Sequence, residues 1–380
     1  MGNVRCADMI VVGSGIVGSS TAWYAAQKGM KVIVIDKDGV IGNGASSRNG
    51  GGVRVSGRLA PEIPFAKYAV ENIWPNLADE LGVDIEYHKA GNIRFAFTEK
   101  DLPTLETIKK TNGAHGVNIE IISAEEAKRR CPYVGDSVTG AAVCDIDGTA
   151  NPLKTTLAMY RAARNLGVAY YSGEEAIRVE TVKGKARRVI TASGNIYEGA
   201  HIVLACSYQA RALANTVGVD FPFRQKLIEI FVTEPTRPMF DFMFSAVGAS
   251  GGAYGHQTEH GSFVWGGDSG HEHHPIFEED AKCIQPTASA ISRGTMTYFP
   301  ALAELKVIRT WAGWIDLCED LVPVIGPVEE VPGLMVAAGY SAHGFCLGPV
   351  TGKLLAECAV GETPCVDWKP LAYDRFRSIF

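Results

Sequence analysis

Three glycines and one acid stand at a spacing that handles a diphosphate. Residues 9–36 read MIVVGSGIVGSSTAWYAAQKGMKVIVID. Gly13 permits a tight turn, and Gly15 lets the backbone approach a pyrophosphate. Gly18, helped by Ala22, lets a helix pack closely on the strand before it. The N-terminus of that helix offers N–H groups to phosphate oxygens. Asp36 closes a second apolar run about 20 residues on, where a carboxylate takes a ribose hydroxyl. A bare glycine pattern is weak, but here it lies between two strand-like runs, Ile10–Val12 and Val32–Ile35, with the acid in place.

The elements around this turn predict more than one domain. The chain has 380 residues, 46% hydrophobic and 21% charged, enough for two or three cores. A formal charge of −6 supplies no basic field for nucleic acid or an anionic membrane. No apolar stretch approaches the roughly 20 residues a membrane helix needs. The nine cysteines include no CxxC pair, which disfavours iron–sulfur and structural zinc sites and fits reduced thiols in a cytoplasm. The histidines of Gly270–Pro275 (GHEHHP) lack an i,i+4 helical pair, so a solvated loop is expected there and no metal site.

After the nucleotide unit comes a glycine-dense loop, Gly42–Gly57 (GNGASSRNGGGVRVSG), too long for an ordinary connection and therefore a candidate functional loop. Helical spacing runs over Pro61–Leu81, strand-like runs over Ile85–Tyr87 and Asn92–Phe97, and helices near Lys100–Thr111 and Pro152–Leu166. Residues 176–206 alternate as hairpins with turns at Lys183–Lys185 and Ser193–Asn195, ending in an apolar HIVLAC suited to a buried parallel strand. Residues 225–310 alternate again, as in a mostly antiparallel sheet. Gly333–Val360 repeats the strand, glycine loop and helix order, with Val350, Leu354, Leu355 and Cys358 on one face and Gly361 as the stop. Nucleotide-binding features thus lie at both ends of the chain. The expected architecture is α/β: a Rossmann-like, discontinuous nucleotide domain (1–60, 145–222 and 308–380) and a substrate domain on a mostly antiparallel mixed sheet (61–144 and 223–307).

The order GSGIVGSSTA…VIVID, SSRNGGGVR, GNIYEGAHIVLAC, WAGW…PVIG and AGYSAHGF…GPVTGKLLAE resembles the D-amino-acid-oxidase-like FAD oxidoreductases over nearly the whole chain. Arg48-Asn49 and Ala342–Phe345 look most like the β subunits of sarcosine, opine and hydroxyproline oxidoreductases. The resemblance implies FAD bound non-covalently, with Gly13, Gly15 and Gly18 at the pyrophosphate, along with Ile16 and Val17. Asp36, with Lys37, would meet the adenosine ribose. Ala45, Ser46, Ser47, Arg48, Asn49 and Gly50, Gly51, Gly52 would thread beside the flavin. Val179 would lie at the adenine, and Ala205, Cys206 and Gly313 along the cofactor. Gly339, Ser341, His343, Gly344 and Phe345 would close over the isoalloxazine. The helix entered near Leu347 would aim its positive end at a reduced, anionic flavin.

Amine oxidation asks the protein mainly for orientation: a carboxylate anchor, a Cα–H aimed at flavin N5 and an amine that arrives neutral. The resemblance makes Arg54 the anchor, and its fork suits bidentate capture; Arg48 and Arg58 are weaker candidates. Tyr254 and His256, in the strand AYGHQ, are candidate catalytic residues. His256 is the expected proton acceptor because a histidine ordinarily titrates near neutrality. His343 is a candidate for cofactor contact or chemistry, and Trp311 and Trp314 for the pocket wall. Ile315 stands where glycine and D-amino-acid oxidases carry an arginine, and Cys346 where monomeric sarcosine oxidase carries a lysine. Val264 replaces the lysine that helps activate oxygen, and Trp311 or Ala312 the cysteine of covalent attachment. The expected activity is therefore oxidation of a small secondary amino acid (sarcosine-, proline- or opine-like), with a partner subunit or carrier taking the electrons. A 2-hydroxy-acid oxidoreductase and a flavoprotein subunit that only conducts electrons are the alternatives. A nicotinamide enzyme is disfavoured by the second glycine loop, Gly339–Gly348.

Overall fold

The computed structural model describes residues 2–247, 253–267 and 281–376. Its centre is a six-stranded sheet in the order Val324–Pro327, Leu334–Ala338, His201–Leu204, Met9–Val12, Val32–Asp36 and Ala169–Ser172. Every pairing is parallel except the first. The inner strands are apolar on both faces because helices cover one side and a small sheet the other, which is why HIVL and MIVV read as unbroken runs. The small sheet pairs Val4–Cys6 with the hairpins of Ala176–Glu198, their turn carried by Lys183 and Gly184 in left-handed backbone.

Two helices leave this sheet toward the same place. Ile16–Gln27 follows Met9–Val12, and Gly344–Ala359 follows Leu334–Ala338. They cross in direct backbone contact: a Cβ on Gly352 would lie 2.5 Å from the Ser20 carbonyl carbon, and one on Gly348 would lie 2.9 Å from Ile16. On the sheet side, a Cβ at Gly18 would stand 1.9 Å from the Gly13 carbonyl oxygen, so the close packing assigned to Gly18 is present.

The second layer is an eight-stranded sheet, in the order Val307–Cys318, Phe223–Thr233, Phe263–Gly267, Ala253–Gln257, Met243–Val247, Asn92–Ala96, Gly140–Cys144 and Glu120–Ser123. It is antiparallel apart from Met243–Val247 against Asn92–Ala96. Val307–Cys318 pairs along the whole of Phe223–Thr233, so the domain division drawn at residue 308 is corrected: this strand belongs to the large sheet. Its length, continuous with the chain that returns to Val324, hid the boundary.

Two local expectations also change. Ile85–Tyr87 is not a strand; Glu86 is left-handed, and only His88 bridges to Thr149. The helical run predicted over Pro61–Leu81 is four pieces, a 3₁₀ turn Ala60–Glu62, Ile63–Tyr68, a π turn Ala69–Ile73 and Trp74–Leu81. Pro75 has no N–H to return to the preceding turn, which favours the wider π turn just before it. The segment 270–275 lies outside the described residues.

Candidate active site

A cleft of about 740 Å³ runs between the two sheets, within the roughly 300–1,000 Å³ of typical ligand sites. At one end it meets the carboxyl ends of the parallel strands, at Val12, Asp36 and Ala205. At the other it is roofed by the large sheet, where alternation decides what faces in. Lys226, Ile228 and Ile230 line it from one strand, and Asn92 and Arg94 from another, while Ile93 and Phe95 point to the opposite core.

The diphosphate end has the form a dinucleotide requires. Gly13 is at φ +108°, and a Cβ there would lie 2.3 Å from the Ala205 carbonyl oxygen, so only glycine turns here. Gly15, Ile16 and Val17 put the start of a 12-residue helix into the cleft. Asp36 accepts from the Ser14 N–H and hydroxyl, both at 2.6 Å through Oδ2, and Lys37 stands beside it on the wall. The residues present fit the adenosine diphosphate half of FAD.

The glycine-dense loop lies along the middle of the cleft and is fastened from behind. Trp311 Nε1 donates to the Arg48 carbonyl at 2.9 Å, Arg48 Nη1 donates to the Gly44 carbonyl, and Asn49 bridges Ser46 and Gly51. The side chain of Arg48 crosses Gly313, where a Cβ would approach it to 2.9 Å. Ala45, Ser46, Arg48, Asn49, Gly50, Gly52, Ala205, Cys206 and Gly313 all line the cleft. Across from them Ser341 and Ala342 hold consecutive left-handed backbone at φ +50° and +72°, directly before the Gly344–Ala359 helix. The turn is held by the Ser341 N–H donating to the Asp316 carbonyl at 2.9 Å and the His343 N–H donating to the Tyr340 carbonyl at 2.8 Å. Ser341, His343, Gly344 and Phe345 face the cleft.

Five expected contacts are not on its wall. Gly18 is spent on helix packing, Ser47 bonds back to the Gly44 carbonyl, and Gly51 accepts from the Ala150 N–H. Gly339 donates to Asp316 Oδ2 at 2.6 Å. Val179 is corrected: its N–H and carbonyl are both bonded to the Thr216 hydroxyl, and Glu175 and Ala176 line the cleft instead. In a hairpin with bulges, sequence alternation does not fix which residue reaches the opening.

At the far end three guanidiniums gather, those of Arg54, Arg58 and Arg94. Arg54 Nη1 donates to the Ser56 carbonyl at 2.6 Å, and Nη2 lies 3.4 Å from His343 Nε2. His343 Nδ1 faces the fully buried Glu62 at 2.9 Å. Because a guanidinium only donates, Nε2 is the acceptor and Nδ1 carries the proton toward Glu62. Burial, with the neighbouring Arg58, pushes His343 down to about 4, so the imidazole is neutral. Burial and the two adjacent guanidiniums pull Arg54 down to about 9, which leaves it charged at neutral pH. Asp147 holds the loop below: it accepts from the Val55 N–H at 2.6 Å, the Ser56 N–H and hydroxyl, and Asn92. Glu62, Arg94 and Asp147 were not singled out from the sequence. The available signal was one charge inside the apolar strand NIRFA and one acid after Pro61.

Tyr254 and His256 line the same end. The Tyr254 hydroxyl lies 2.8 Å from where a Cβ on Gly266 would stand. His256 does not titrate near neutrality as expected: burial, then His88, lowers it to about 4, and its Nδ1 is buried without a partner. Trp314 lines the cleft, whereas Trp311 is used on the loop. Asp316, also on the wall, is raised to about 6 by burial against the opposing Gly339 N–H.

The buried histidines carry a stability prediction. An unfolded histidine takes up its proton near 6.5, while folded His256 resists until about 4, so the unfolded state binds more protons between those values. Stability is full above pH 6.5 and falls as the pH drops toward about 4. The expected slope is roughly 1.4 kcal/mol per pH unit per histidine, as an upper bound. Denaturant titrations across that range should show it, and His256→Gln should make it shallower while leaving the share of His343; an unchanged slope in that variant counts against a neutral, buried His256.

Residues 8–358 of this chain match the family model DAO, FAD dependent oxidoreductase. An opine oxidase subunit from Rhizobium meliloti is 27% identical, over 93% of this chain and 96% of that protein. The beta chain of sarcosine oxidase from Rhodobacter capsulatus is 26% identical, over 94% and 86%. Among solved structures, L-proline dehydrogenase from P. horikoshii superposes with a TM-score of 0.88 at 27% identity, over 99% of each chain. No helix among the described residues is long and apolar enough to cross a membrane.

Proposed function

The chain belongs to the DAO family of FAD-dependent oxidoreductases, and we propose that it oxidises a small secondary amino acid at the carbon next to nitrogen. One observation carries this reading: a single cleft joins a diphosphate turn at Gly13 to a cluster of buried guanidiniums around Arg54. When bound, FAD supplies the hydride acceptor. The Ile16–Gln27 helix end and Gly13 would hold its diphosphate, Asp36 would take the ribose, and Ser341–Phe345 would cover the ring. Each Nη of Arg54 keeps one free N–H, so the arginine can anchor a carboxylate and aim the Cα–H across the cleft. His256 and Tyr254 flank the amine. A histidine that titrates near 4 is a weak base, so His256 hydrogen-bonds the neutral amine and leaves the proton to solvent. The named relatives act on opines, sarcosine and proline, all secondary amines.

Non-covalent attachment follows from the wall chemistry. Among the described lining residues the cysteine is Cys206, and burial raises its thiol to about 12, leaving a poor nucleophile. Acid precipitation should release the yellow cofactor into the supernatant; colour retained in the pellet overturns this.

Two relatives are named as subunits, which supports a partner or carrier, rather than oxygen, as the electron acceptor. The deciding experiment is anaerobic stopped-flow reduction with sarcosine, glycine, both prolines, hydroxyprolines and opines. Bleaching of the flavin band by a secondary amine is expected, with slow reoxidation in air. Bleaching by 2-hydroxy acids alone would overturn the reading, and fast oxygen consumption would overturn the choice of acceptor.

A further inference from the structure

Outside the cleft, one group of side chains is spaced for a cation rather than for hydrogen bonds. Glu259 and His260 stand at the tip of the hairpin between Ala253–Gln257 and Phe263–Gly267. The tip is closed by the Thr258 N–H on the Ser262 carbonyl and the Gly261 N–H on the Thr258 carbonyl. His260 Nε2 lies 3.5 Å from Glu259 Oε1 and 3.6 Å from Glu86 Oε1, and donor atoms of these three residues all fall within 4.8 Å of one another. An N–H···O bond spans about 2.7–3.2 Å, so neither contact is one. A tetrahedron around a cation with bonds of about 2.0–2.2 Å has edges of roughly 3.3–3.6 Å, which is the spacing His260 keeps to both carboxylates. The carboxylates are also oriented from behind. Glu86, its side chain only 10% exposed, accepts from Asn151 Nδ2 at 2.9 Å through Oε2, and Asn151 Oδ1 caps the Pro152–Asn165 helix. Glu259 Oε2 lies 3.5 Å from His88 Nε2. Outer partners of this kind fix ligating carboxylates. The cation that meets Glu86 Oε1 is Lys154 Nζ, at 2.5 Å; its side chain is nearly half exposed, and its flexible stem lets it turn into solvent.

We propose that Glu86, Glu259 and His260 form a binding site for a divalent cation of the zinc class, three protein ligands with the fourth position left to water. The imidazole selects the metal: Zn2+, Co2+ and Ni2+ accept nitrogen, whereas Mg2+ and Ca2+ take oxygen ligands. Charge balances once Lys154 has turned away, because two carboxylates and a neutral imidazole match a 2+ ion. The exposed hairpin tip leaves the ion a path in. Once bound, it fastens the hairpin to the helix cap at Asn151. That hairpin carries Tyr254 and His256 on the cleft wall, so the ion steadies the wall without touching the cleft. The inference is independent of the functional reading above.

The test uses the flavin-loaded enzyme, stripped of metal with a chelator and carrying no affinity tag, with Co2+ as the probe. Binding should give the intense d–d band of tetrahedral Co2+, to the red of the flavin absorption, and Zn2+ should bleach it. Glu259→Gln and His260→Ala, both at the exposed tip, should abolish the band. His88→Ala removes an outer partner and should weaken binding by about 10- to 100-fold. Lys154→Met should tighten it, since the competing cation is gone. Zn2+ should also raise the melting temperature of the wild type and leave that of Glu259→Gln where it was. A second imidazole group, His271, His273 and His274, lies outside the described residues. Replacing all three with Gln should leave the Co2+ band in place. A band that never forms, that survives Glu259→Gln, or that vanishes with those three histidines overturns the proposal. None of these readouts depends on turnover.

Discussion

Arg54→Ala should lower kcat/KM for the amino-acid substrate by about 100- to 1,000-fold while the protein stays folded and yellow. The size follows from truncating one partner of a buried, hydrogen-bonded charge pair, which costs roughly 2–5 kcal/mol, at about 1.4 kcal/mol per tenfold. The fold should tolerate the change. Arg54 sits beside Arg58 and Arg94, and that proximity together with burial already lowers its proton affinity to about 9, so its removal relieves like-charge repulsion. Its bond to the Ser56 carbonyl is a local one, and Asp147 holds the same loop through two backbone N–H groups. The diphosphate half of flavin binding draws on Gly13, Asp36 and the start of the Ile16–Gln27 helix, whose hydrogen bonds do not involve Arg54. Arg54→Lys should recover only part of the loss, because a point charge cannot reproduce the fork. Steady-state kinetics with a flavin-to-protein absorbance ratio decides it: a near-normal kcat/KM removes Arg54 from the site.

What was legible in the sequence is what local chemistry dictates. Gly13 and Gly18 are forced by backbone geometry, so their roles could be read from spacing alone, and the structure gives each a clash that any side chain would meet. The second strand–loop–helix unit was legible for the same reason, down to Gly361 in left-handed backbone after the helix. The loop of Arg48 and Asn49 was recognisable as functional by its length. Its fastening by Trp311 was not, since that bond joins residues far apart in sequence. Arg94 and Glu62 escaped for a related reason. Each is one charge in an apolar segment, and only the meeting of a strand, a helix start and the His343 loop gives it meaning. His256 was found by type, but its protonation was misjudged, because burial is a tertiary property and a strand pattern does not carry it.

Glu62 is where removing a charge should harm the fold most. Its side chain is fully buried, its carboxylate meets His343 Nδ1, and Arg58 and Arg54 lie close enough to hold it in the charged form. Glu62→Ala leaves two buried guanidiniums with less counter-charge and frees the imidazole that steadies Arg54. Breaking a buried pair from one side costs roughly 3–5 kcal/mol, so the variant should unfold at clearly lower denaturant concentration, with flavin bound or stripped. Glu62→Gln keeps an acceptor for the Nδ1 proton and should fall between. Acid separates the two contributions. Glu62 is held below its ordinary value of 4.5, so the stability it gives is full above that value and is lost as the pH falls through the lowered one. The loss between 6.5 and about 4 belongs to the neutral histidines and should persist in Glu62→Gln, whereas the fall below 4.5 should become shallower by the Glu62 share, the rest remaining with other lowered carboxylates such as Asp220 and Asp320. The helix that begins at Ile63 thus serves the site through the residue just before it. If Glu62→Gln kept the wild-type acid limb and Glu62→Ala melted like the parent, the Glu62–His343–Arg54 chain would be a bystander, and the orientation of the anchor would have to come from Ser56 alone.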